Sequence, residues 1–480
     1  ALPGDTFNLR MTAFARMATP IKPIMDNLYL DTFFFAVPIR LLWDNWERFN
    51  GWQESPGDST DYTVPEVTVN PATHATGADL YDYFGCPVDA GAAFTCSALY
   101  PRAYNLIWNE WFRDQNLQNS FDINTGDGPD DQDDYFLNKR GKRHDYFTSC
   151  LPWPQKGDAV SISLGSYAPV VPSGTNMSPT FKIASLYTGT TFQTSPTSEV
   201  HSSVPGPSAD IDWQWDDPSL NADLSLASTI TINELRESFQ LQKMLERDAR
   251  GGTRYAEVIR AHFGVISPDA RLQRPEFLGG GSARVIIKPV EQAQASAEGE
   301  TPQGNLAAYG TATLNNNGFT KSFTEHCVLM GLVSIRSDQT YQHGLNRMFS
   351  RSTRYDFYWP ALSHIGEQAV LNKEIFYSGN STIDEDVFGY QERFAEYRYK
   401  PSLITGKFRS TDPQSLDIWH LGQDYEETPE LGNWFIQERP PIDRVIATPE
   451  EPAFLFDSYF DLKCARPMPL YGVPGNIDRF

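Results

Sequence analysis

The residues best suited to hold a metal ion lie in one acidic segment, residues 121–135. Four of them approach the spacing of the oxygen ligands in a calcium-binding loop: Asp122, Asn124, Asp127 and Asp133. The match is incomplete, because Gly126 stands at a ligand position and Asp127 stands where such a loop requires glycine. A Ca²⁺ site and a solvated acidic loop are therefore the two interpretations. The acidic loop is favoured, because a charged run needs no partner.

The densest run of basic residues follows this acidic segment. It consists of Lys139, Arg140, Lys142, Arg143 and His144. These side chains could contact the phosphates of DNA or an acidic surface of a neighbouring subunit, whereas an exposed charged turn would need neither partner. A second and sparser group of candidates for the same contacts lies near the N-terminus: Arg10, Arg16 and Lys22.

The sequence contains no recognisable catalytic motif, and we predict no catalytic residues. There is no HExxH motif, no Walker loop and no GxSxG elbow. Residues Gly279–Ser282 are glycine-rich, but the GxGxxG pattern breaks at Arg284, so we expect a tight turn before a strand over Arg284–Val290. The eight histidines are scattered and lack the spacing of metal ligands.

The composition is that of an acidic folded protein rich in aromatic residues. Hydrophobic residues form 40% of the chain, which is enough for a substantial core. Aromatic residues at 13% suit β cores and interfaces, and 34 Pro with 34 Gly argue against a helical bundle. The net charge of −22 indicates that this chain does not neutralise a nucleic acid by itself. If it encloses DNA, a basic partner must supply most of the positive charge.

The cysteines indicate free thiols in a reducing cytoplasm rather than a disulfide framework or a zinc site. Their number is odd, they are widely spaced and no CxxC is present: Cys86, Cys96, Cys150, Cys327 and Cys464. No segment has the apolar length of a membrane span, and the N-terminus does not resemble a signal peptide. The first residue is Ala1 rather than methionine, so we expect residues to be missing before it.

Helical periodicity is confined to four stretches. After Pro101, one apolar helix face includes Trp108 and Trp111, and we expect both indoles to be buried. A second helix is predicted to begin at the capping-box residue Thr231 and to end at Gly251. Its predicted apolar side consists of Leu235, Phe239 and Leu245. The two remaining helices are predicted over Tyr255–Gly264 and Ile39–Phe49.

Most other patterned segments predict β-strands. Phe454–Cys464 alternates apolar and polar residues, which indicates a strand with one buried face, and Val328–Ile335 is apolar enough to be buried on both faces. A long strand is predicted over Leu28–Val37, closed by Pro38. Shorter strands are predicted over Val160–Leu164, Ala283–Val290 and Glu396–Ile404. Strands this irregularly spaced favour a double-sheet barrel with long excursions over a parallel sheet.

Residues 167–218 differ from the rest of the chain. They are rich in Ser, Thr, Pro and Gly, a composition that cannot bury a core, so we predict a surface insertion. An exposed recognition loop and a flexible linker are the two interpretations. If this is a recognition loop, its isolated aromatic residues are the candidates for contact: Tyr187, Phe192, Trp213 and Trp215.

Ordered sequence blocks along nearly the whole chain resemble the major capsid protein of gokushoviruses, a branch of the microvirus family of small single-stranded DNA phages. The first blocks are PGDTF at Pro3–Phe7 and the segment from RMATPIKP to NWERFNG at Arg16–Gly51. The others are Pro101–Leu117, Arg140–Asp158, Gln242–Gly280, Ile365–Val370, Phe388–Arg398 and Pro467–Gly475. The resemblance does not extend to Tyr167–Pro218 or Ser296–Lys321.

This resemblance implies a mainly β fold: one domain over residues 1–480, built as an eight-stranded antiparallel jelly roll with long insertions that carry short helices. It also implies self-assembly through pentamers into a T = 1 icosahedral shell around a circular single-stranded DNA genome, in the cytoplasm of a bacterial host. The implied partners are a small basic DNA-binding protein, an internal scaffolding protein, a pilot protein and a host surface receptor. Residues 167–218 would form the protrusion at the three-fold axes.

The alternative function is that of a secreted β-sandwich enzyme or lectin that acts on carbohydrate. The tryptophan and tyrosine content suggests it, and paired carboxylates would carry the chemistry. The absence of a recognisable signal peptide and the capsid-like blocks weigh against it. We therefore expect a structural protein rather than an enzyme.

Overall fold

The computed structural model describes residues 1–74, 78–88, 91–160, 232–266, 273–294 and 303–467, together with five short strands between residues 170 and 222. The first described strands are β1 (Thr6–Met17), β2 (Leu28–Pro38), β3 (Glu66–Val69) and β4 (Phe94–Ser97). The short strands are β5 (Val170–Pro172), β6 (Thr180–Ile183), β7 (Phe192–Gln193), β8 (Trp213–Trp215) and β9 (Leu220–Ala222). The later strands are β10 (Glu276–Arg284), β11 (Ile286–Glu291), β12 (Leu306–Ser322), β13 (Cys327–Ser337), β14 (Thr340–Tyr341), β15 (Glu367–Leu371), β16 (Val387–Glu392), β17 (Ser402–Leu403) and β18 (Phe454–Ala465).

The described α-helices are short except for one. They are α1 (Trp46–Phe49), α2 (Leu80–Tyr83), α3 (Leu99–Ile107), α4 (Ile232–Gly251), α5 (Tyr255–Phe263), α6 (Asn372–Ile375), α7 (Ser381–Asp384) and α8 (Asn433–Ile436). None of the helices in the described ranges has the length and apolar character that crossing a membrane requires. The prediction of a mainly β chain with short helices is confirmed.

Two antiparallel sheets, the central sheets of the fold, contain most of the long described strands. One has the strand order β11-β12-β1-β18 and the other has the order β10-β2-β13. Strand β1 alternates buried residues such as Met11 and Ala13 with exposed ones such as Arg10. Its buried side chains join Leu30 and Phe34 of the other sheet in one apolar cluster. The sheets therefore pack face to face, as the alternation of β1 requires.

Strand β2 is the best-buried strand, because it separates two apolar clusters. Leu30 and Phe34 point into the cluster between the sheets, while Phe35 and Val37 join a second cluster with helix α3. The strand predicted over Leu28–Val37 is confirmed. The expectation that Val328–Ile335 is buried on both faces is wrong, since β13 lies at the edge of its sheet and Val333 is exposed.

The glycine-rich segment forms part of strand β10 rather than the predicted turn. Space is the physical reason: a Cβ atom on Gly280 would lie 2.1 Å from the Thr32 carbonyl oxygen, and one on Gly279 would lie 2.4 Å from the Gly318 oxygen. Glycine therefore allows β10 to approach its neighbours closely. The strand predicted over Ala283–Val290 is divided at Val285 between β10 and β11.

Trp108 and Trp111, both predicted to be buried, differ in exposure. They lie in the π-helical turn Trp108–Phe112 that follows helix α3. Trp108 is 5% exposed, and its Nε1 donates a hydrogen bond to the Lys139 carbonyl oxygen over 3.1 Å. Trp111 is 39% exposed, so its predicted burial is wrong. The π-helical turn changes the residue spacing of the helix, and a face drawn at 3.6 residues per turn does not continue through it.

Helices α4 and α5 end where their local chemistry predicts. Helix α4 ends at Gly251, and α5 is followed by Gly264 at a φ of +70°, a backbone conformation that glycine favours. The predicted first residue of α4, Thr231, lies outside the described residues. The apolar side predicted for α4 does not face a core, since Phe239 is 64% exposed.

Two other strand predictions differ from the structure. Strand β18 forms where expected, but it lies at the edge of its sheet and its apolar residues are exposed on both faces. Residues 396–404 contain a 3₁₀ turn and only the short β17 in place of one strand. Of the strand predicted over Val160–Leu164, all but Val160 lies outside the described residues.

The chain divides into two compact units, one formed by Ala1–Lys156 with Glu246–Phe480 and the other by Gly157–Leu245. The first unit holds both central sheets. The second contains the predicted insertion and, in its described part, two small antiparallel pairings, β5-β9 and β7-β6-β8.

Candidate subunit and nucleic-acid interfaces

The N-terminal candidate cations lie on or beside strand β1. Arg10 and Arg16 are exposed on the same face of the strand, because they are six positions apart and side chains alternate between the two faces. Arg10 pairs in register with Asp461 of β18, which partly offsets its charge. The Lys22 ammonium donates to Asn305 Oδ1 and to the Leu306 carbonyl oxygen, each over 3.1 Å. Of these three N-terminal candidates, the two arginines are therefore the ones whose side chains remain available for contacts with another molecule.

Strand β18 presents the most extended apolar surface near these cations. On its outer face Leu455 is 68% exposed and Tyr459 is 71% exposed. On the other face Phe456 and Phe460 pair in register with Ala15 and Met11 of β1 and are also exposed. Within the described ranges β18 pairs with β1 alone, so its other edge offers free backbone groups. Sequence alternation located this strand but could not show that both of its faces are exposed.

The basic run divides into exposed and embedded side chains. Lys139 and Arg143 are exposed, and Arg140 and Lys142 lie in an extended segment that hydrogen-bonds to residues 436–438. The Arg140 guanidinium lies 3.0 Å from Asp31 Oδ2 and 5.3 Å from the centre of the Phe33 ring. An exposed charged turn therefore does not describe this segment.

Lys142 is buried, with its ammonium 4.7 Å from the centre of the Phe435 ring. Loss of hydration lowers its pKa from 10.5 to about 8, although the nearby Glu438 carboxylate acts in the opposite direction. Burial raises the pKa of Glu438 in turn. The Lys142 ammonium forms no ion pair with any residue in the described ranges, so it is a cation held in a poorly hydrated site.

The Asp31 carboxylate holds this region together. Burial alone would raise its pKa, but hydrogen bonds from Ser282 and Arg336, together with the charges of Arg336 and Arg140, hold that pKa below its ordinary value. Arg336 Nε lies 2.8 Å from Asp31 Oδ2. The charged form of Asp31 is therefore favoured, and it anchors Arg140 against the sheet.

The four candidate calcium ligands are not brought together. Asp127 Oδ1 accepts hydrogen bonds from Trp43 Nε1 over 2.7 Å and from Asn45 Nδ2 over 2.9 Å. The Asn124 amide donates to Asp130, and Asp133 lies 3.2 Å from His74 Nε2. Across the described ranges no three His, Cys, Asp or Glu side chains converge as metal ligands. The geometry of this segment, which also contains Asp122, does not fit a Ca²⁺ site.

The acidic segment instead contains a buried ion pair that its sequence did not reveal. Arg102 Nη2 lies 2.6 Å from Asp130 Oδ1, and Arg102 Nε donates to Asp130 Oδ2 over 2.7 Å. Both side chains are fully buried. Tyr135 donates a further hydrogen bond to Asp130 Oδ2. The acidic segment is therefore a structural support for α3.

The host-recognition candidates lie in the second unit. Phe192 belongs to β7, and Trp213 and Trp215 belong to β8. Strand β6 pairs with both, through the registers Phe181–Phe192 and Phe181–Trp215. Tyr187 lies outside the described residues. The backbone thus brings three of the four candidates to one small sheet.

Comparison with known proteins identifies the family. A family model described as "Capsid protein (F protein)" matches residues 1–476. The capsid protein VP1 of Bdellovibrio phage phiMH2K is 48% identical and aligns with 100% of this chain and 91% of its own. VP1 of Chlamydia phage 1 is 42% identical over 99% of this chain and 91% of its own, and VP1 of Spiroplasma virus 4 is 37% identical over 98% and 90%.

These similarities agree with the resemblance of the sequence blocks, and they give no support to the carbohydrate-active enzyme or lectin. A capsid protein functions through contacts between subunits and needs no catalytic residues, which agrees with the lack of catalytic motifs in the sequence. The chain belongs to the family of phage F-type capsid proteins and is a structural component of the virion, not an enzyme.

Proposed function

We propose that this chain assembles, through pentamers, into a T = 1 icosahedral shell that encloses a circular single-stranded DNA genome. The seven strands of the two central sheets would belong to an eight-stranded jelly roll. Family membership supports self-assembly, and the observation that carries the proposal is strand β18. It exposes apolar side chains on both faces, and among the described strands it pairs with β1 alone, which leaves its other edge free.

A long edge strand with exposed aromatic residues is unfavourable for an isolated protein in water, because it can pair with other chains. In a capsid protein the available partner is a second copy of the same chain. The Asp457 and Asp461 side chains interrupt the outer face, which favours one defined pairing over open-ended aggregation. We therefore assign β18 to a contact between subunits.

The negative net charge supports a role for a second protein in neutralising the genome. With a net charge of −22, this chain needs a cationic partner at the DNA, and a small basic DNA-binding protein would supply that charge. Arg10, Arg16, Lys139 and Arg143 remain exposed for contacts with DNA or a neighbouring subunit. An internal scaffolding protein and a pilot protein complete the proposed assembly, which would take place in the cytoplasm of the bacterial host.

The unit Gly157–Leu245 would be an insertion of the jelly-roll domain, with residues 167–218 as its protrusion at the three-fold axes. This position would expose it to a host surface receptor. Phe192, Trp213 and Trp215, which lie on neighbouring strands, and Tyr187 are the proposed contact residues.

Assembly of a Phe460→Asp variant tests the role of β18. We expect wild-type chains, produced with their scaffolding protein, to form uniform round particles in negative-stain electron microscopy, and the variant to remain as small species in sedimentation. Phe460→Leu serves as the matched control and should still assemble, since it keeps an apolar side chain at the same place. Thermal unfolding separates lost assembly from lost folding. Normal particles from a folded Phe460→Asp variant would remove β18 from the proposed interface.

A further inference from the structure

A cleft beside the buried basic segment combines aromatic rings with cations. It has a volume of about 400 Å³ and lies where β2, the Trp108–Phe112 turn, β10 and residues 140–144 meet. This volume falls within the range of roughly 300–1,000 Å³ that is usual for small-ligand sites. All its lining residues belong to the unit that holds the central sheets.

The outer wall of the cleft is an aromatic surface with a rigid support. Trp111 is 39% exposed and Phe277 is 44% exposed, and their ring centres lie 6.0 Å apart. Phe35 packs behind both, with ring centres 5.6 Å from each. The indole N–H of Trp111 donates to the Pro275 carbonyl oxygen over 3.0 Å, which fixes the ring. Such preorganised rings suit the stacking of a planar ligand.

The polar wall carries more positive than negative charge. Three cations line the cleft, Arg113, Arg140 and Lys142, against the single carboxylate of Asp114. That carboxylate is already committed, because it accepts hydrogen bonds from two backbone amides and lies 3.6 Å from His144 Nε2. This local excess of cations contrasts with the net charge of −22 of the whole chain.

Two of these cations could form a further hydrogen bond or ion pair with a ligand. Among the described residues the buried Arg113 Nε has no hydrogen-bond partner, although Arg113 Nη1 donates to the Gln118 carbonyl oxygen over 2.9 Å. Lys142 lacks an ion-pair partner among the residues that the structure describes. Burial of a cation without a partner is costly, so both groups favour an anion in the cleft. Arg274, whose guanidinium lies 5.1 Å from the Trp111 ring centre, adds a further cation at the rim.

A nucleotide has both of the features that this cleft would recognise, a planar aromatic base and an anionic phosphate. Stacking on aromatic side chains accepts any base, since every base has a π face, and cations beside the rings hold the phosphate. An acidic peptide with one aromatic residue would use these contacts less fully, because a single side-chain ring stacks less surface on Trp111 and Phe277 than a nucleotide base joined to its phosphate.

We propose that this cleft binds one nucleotide of single-stranded DNA, with the base against Trp111 and Phe277 and the phosphate toward Arg113 and Lys142. The inference rests on the proposed function, in which the shell encloses single-stranded DNA. It assigns the buried half of the basic run to the genome rather than to a neighbouring subunit. It also explains why an acidic chain keeps unpaired cations beside exposed rings.

Fluorescence anisotropy of a labelled deoxythymidine decamer with the full-length, unassembled chain tests the site. Trp111→Ala should weaken binding by roughly 5- to 150-fold, the range found for removing one base–aromatic stack. Trp111→Phe should retain most of the affinity. Trp52→Ala, which removes a comparably exposed indole outside the cleft, should leave it unchanged. Arg113→Gln should reduce the salt dependence of binding by about 0.7 in the slope of log K against log salt, the value for one phosphate contact.

Equal affinity of wild type, Trp111→Ala and Arg113→Gln would overturn the cleft assignment, while assembly of the shell would still be open to the Phe460 test. In assembled particles grown with 5-bromodeoxyuridine, ultraviolet crosslinking should produce a DNA adduct on the tryptic peptide that contains Trp111. Crosslinking of other peptides of the chain to DNA, with no DNA adduct on the peptide that contains Trp111, would overturn the proposal.

Discussion

Arg102 and Asp130 form a bidentate ion pair that is fully buried. The two nitrogen–oxygen distances are 2.6 and 2.7 Å, and both side chains are fully buried. Arg102 Nη1 also donates to the carbonyl oxygens of Leu42 and Gly126. The pair therefore joins helix α3, the acidic segment and the turn after β2 in one hydrogen-bonded network.

Removing one partner of this pair should be more harmful than removing both. We expect Asp130→Ala to lower the free energy of unfolding by about 3–5 kcal/mol, because it leaves the Arg102 charge buried without a counter-charge. The double variant Arg102→Met, Asp130→Leu should be less destabilised than Asp130→Ala. Urea denaturation measures both. Equal losses in the two variants would contradict a dominant cost of the unpaired charge.

The close approach of β10 to β2 makes Gly280 sensitive to a single methyl group. We expect Gly280→Ala to lower stability by about 1–3 kcal/mol, since its Cβ would meet the Thr32 backbone and the strands would have to separate. Gly57→Ala is the matched control, because no heavy atom lies within 4 Å of its Cβ position. Thermal unfolding of both variants provides the comparison. An unchanged midpoint for Gly280→Ala would show that the strands can move apart at little cost.

The buried Lys142 makes stability depend on alkaline pH. Its pKa is about 8 in the folded chain and near 10.5 when unfolded, so between these values the unfolded chain binds more protons and folding becomes more favourable as pH rises. Relative to Lys142→Met, the wild type should gain stability from pH 7 to pH 10. The charged groups that act on the ammonium are Glu438, Asp145 and Arg439. Denaturation curves at several pH values measure the difference, and a constant difference would mean that Lys142 titrates normally.

The insertion should be dispensable for the shell but needed at the host surface. Replacing residues 167–218 with a short Gly-Ser bridge should leave the central sheets folded and particles visible by electron microscopy. Attachment to host cells, measured by depletion of free phage, should fall. A double Trp213→Ala, Trp215→Ala variant narrows the test to the strand β8. Unchanged attachment by the deletion particles would exclude a receptor role for this segment.

Local sequence patterns determined the elements and the family. The run Leu28–Val37 has the apolar, β-branched and aromatic content of a strand, and β2 spans it. Gly251 and Gly264 end their helices, because a helix terminus depends on a few neighbouring residues. Long ordered blocks along the chain predicted a capsid protein, and full-length similarity confirmed it.

Tertiary structure alone decided which faces and charges are buried. The alternation of β18 is the same whether or not other segments cover it, and in the structure Phe460 is exposed. Lys142 belongs to a run that reads as a solvated turn, but residues 435–438, distant in sequence, enclose it. Periodicity reports a segment's own geometry, whereas burial depends on segments that meet only after folding.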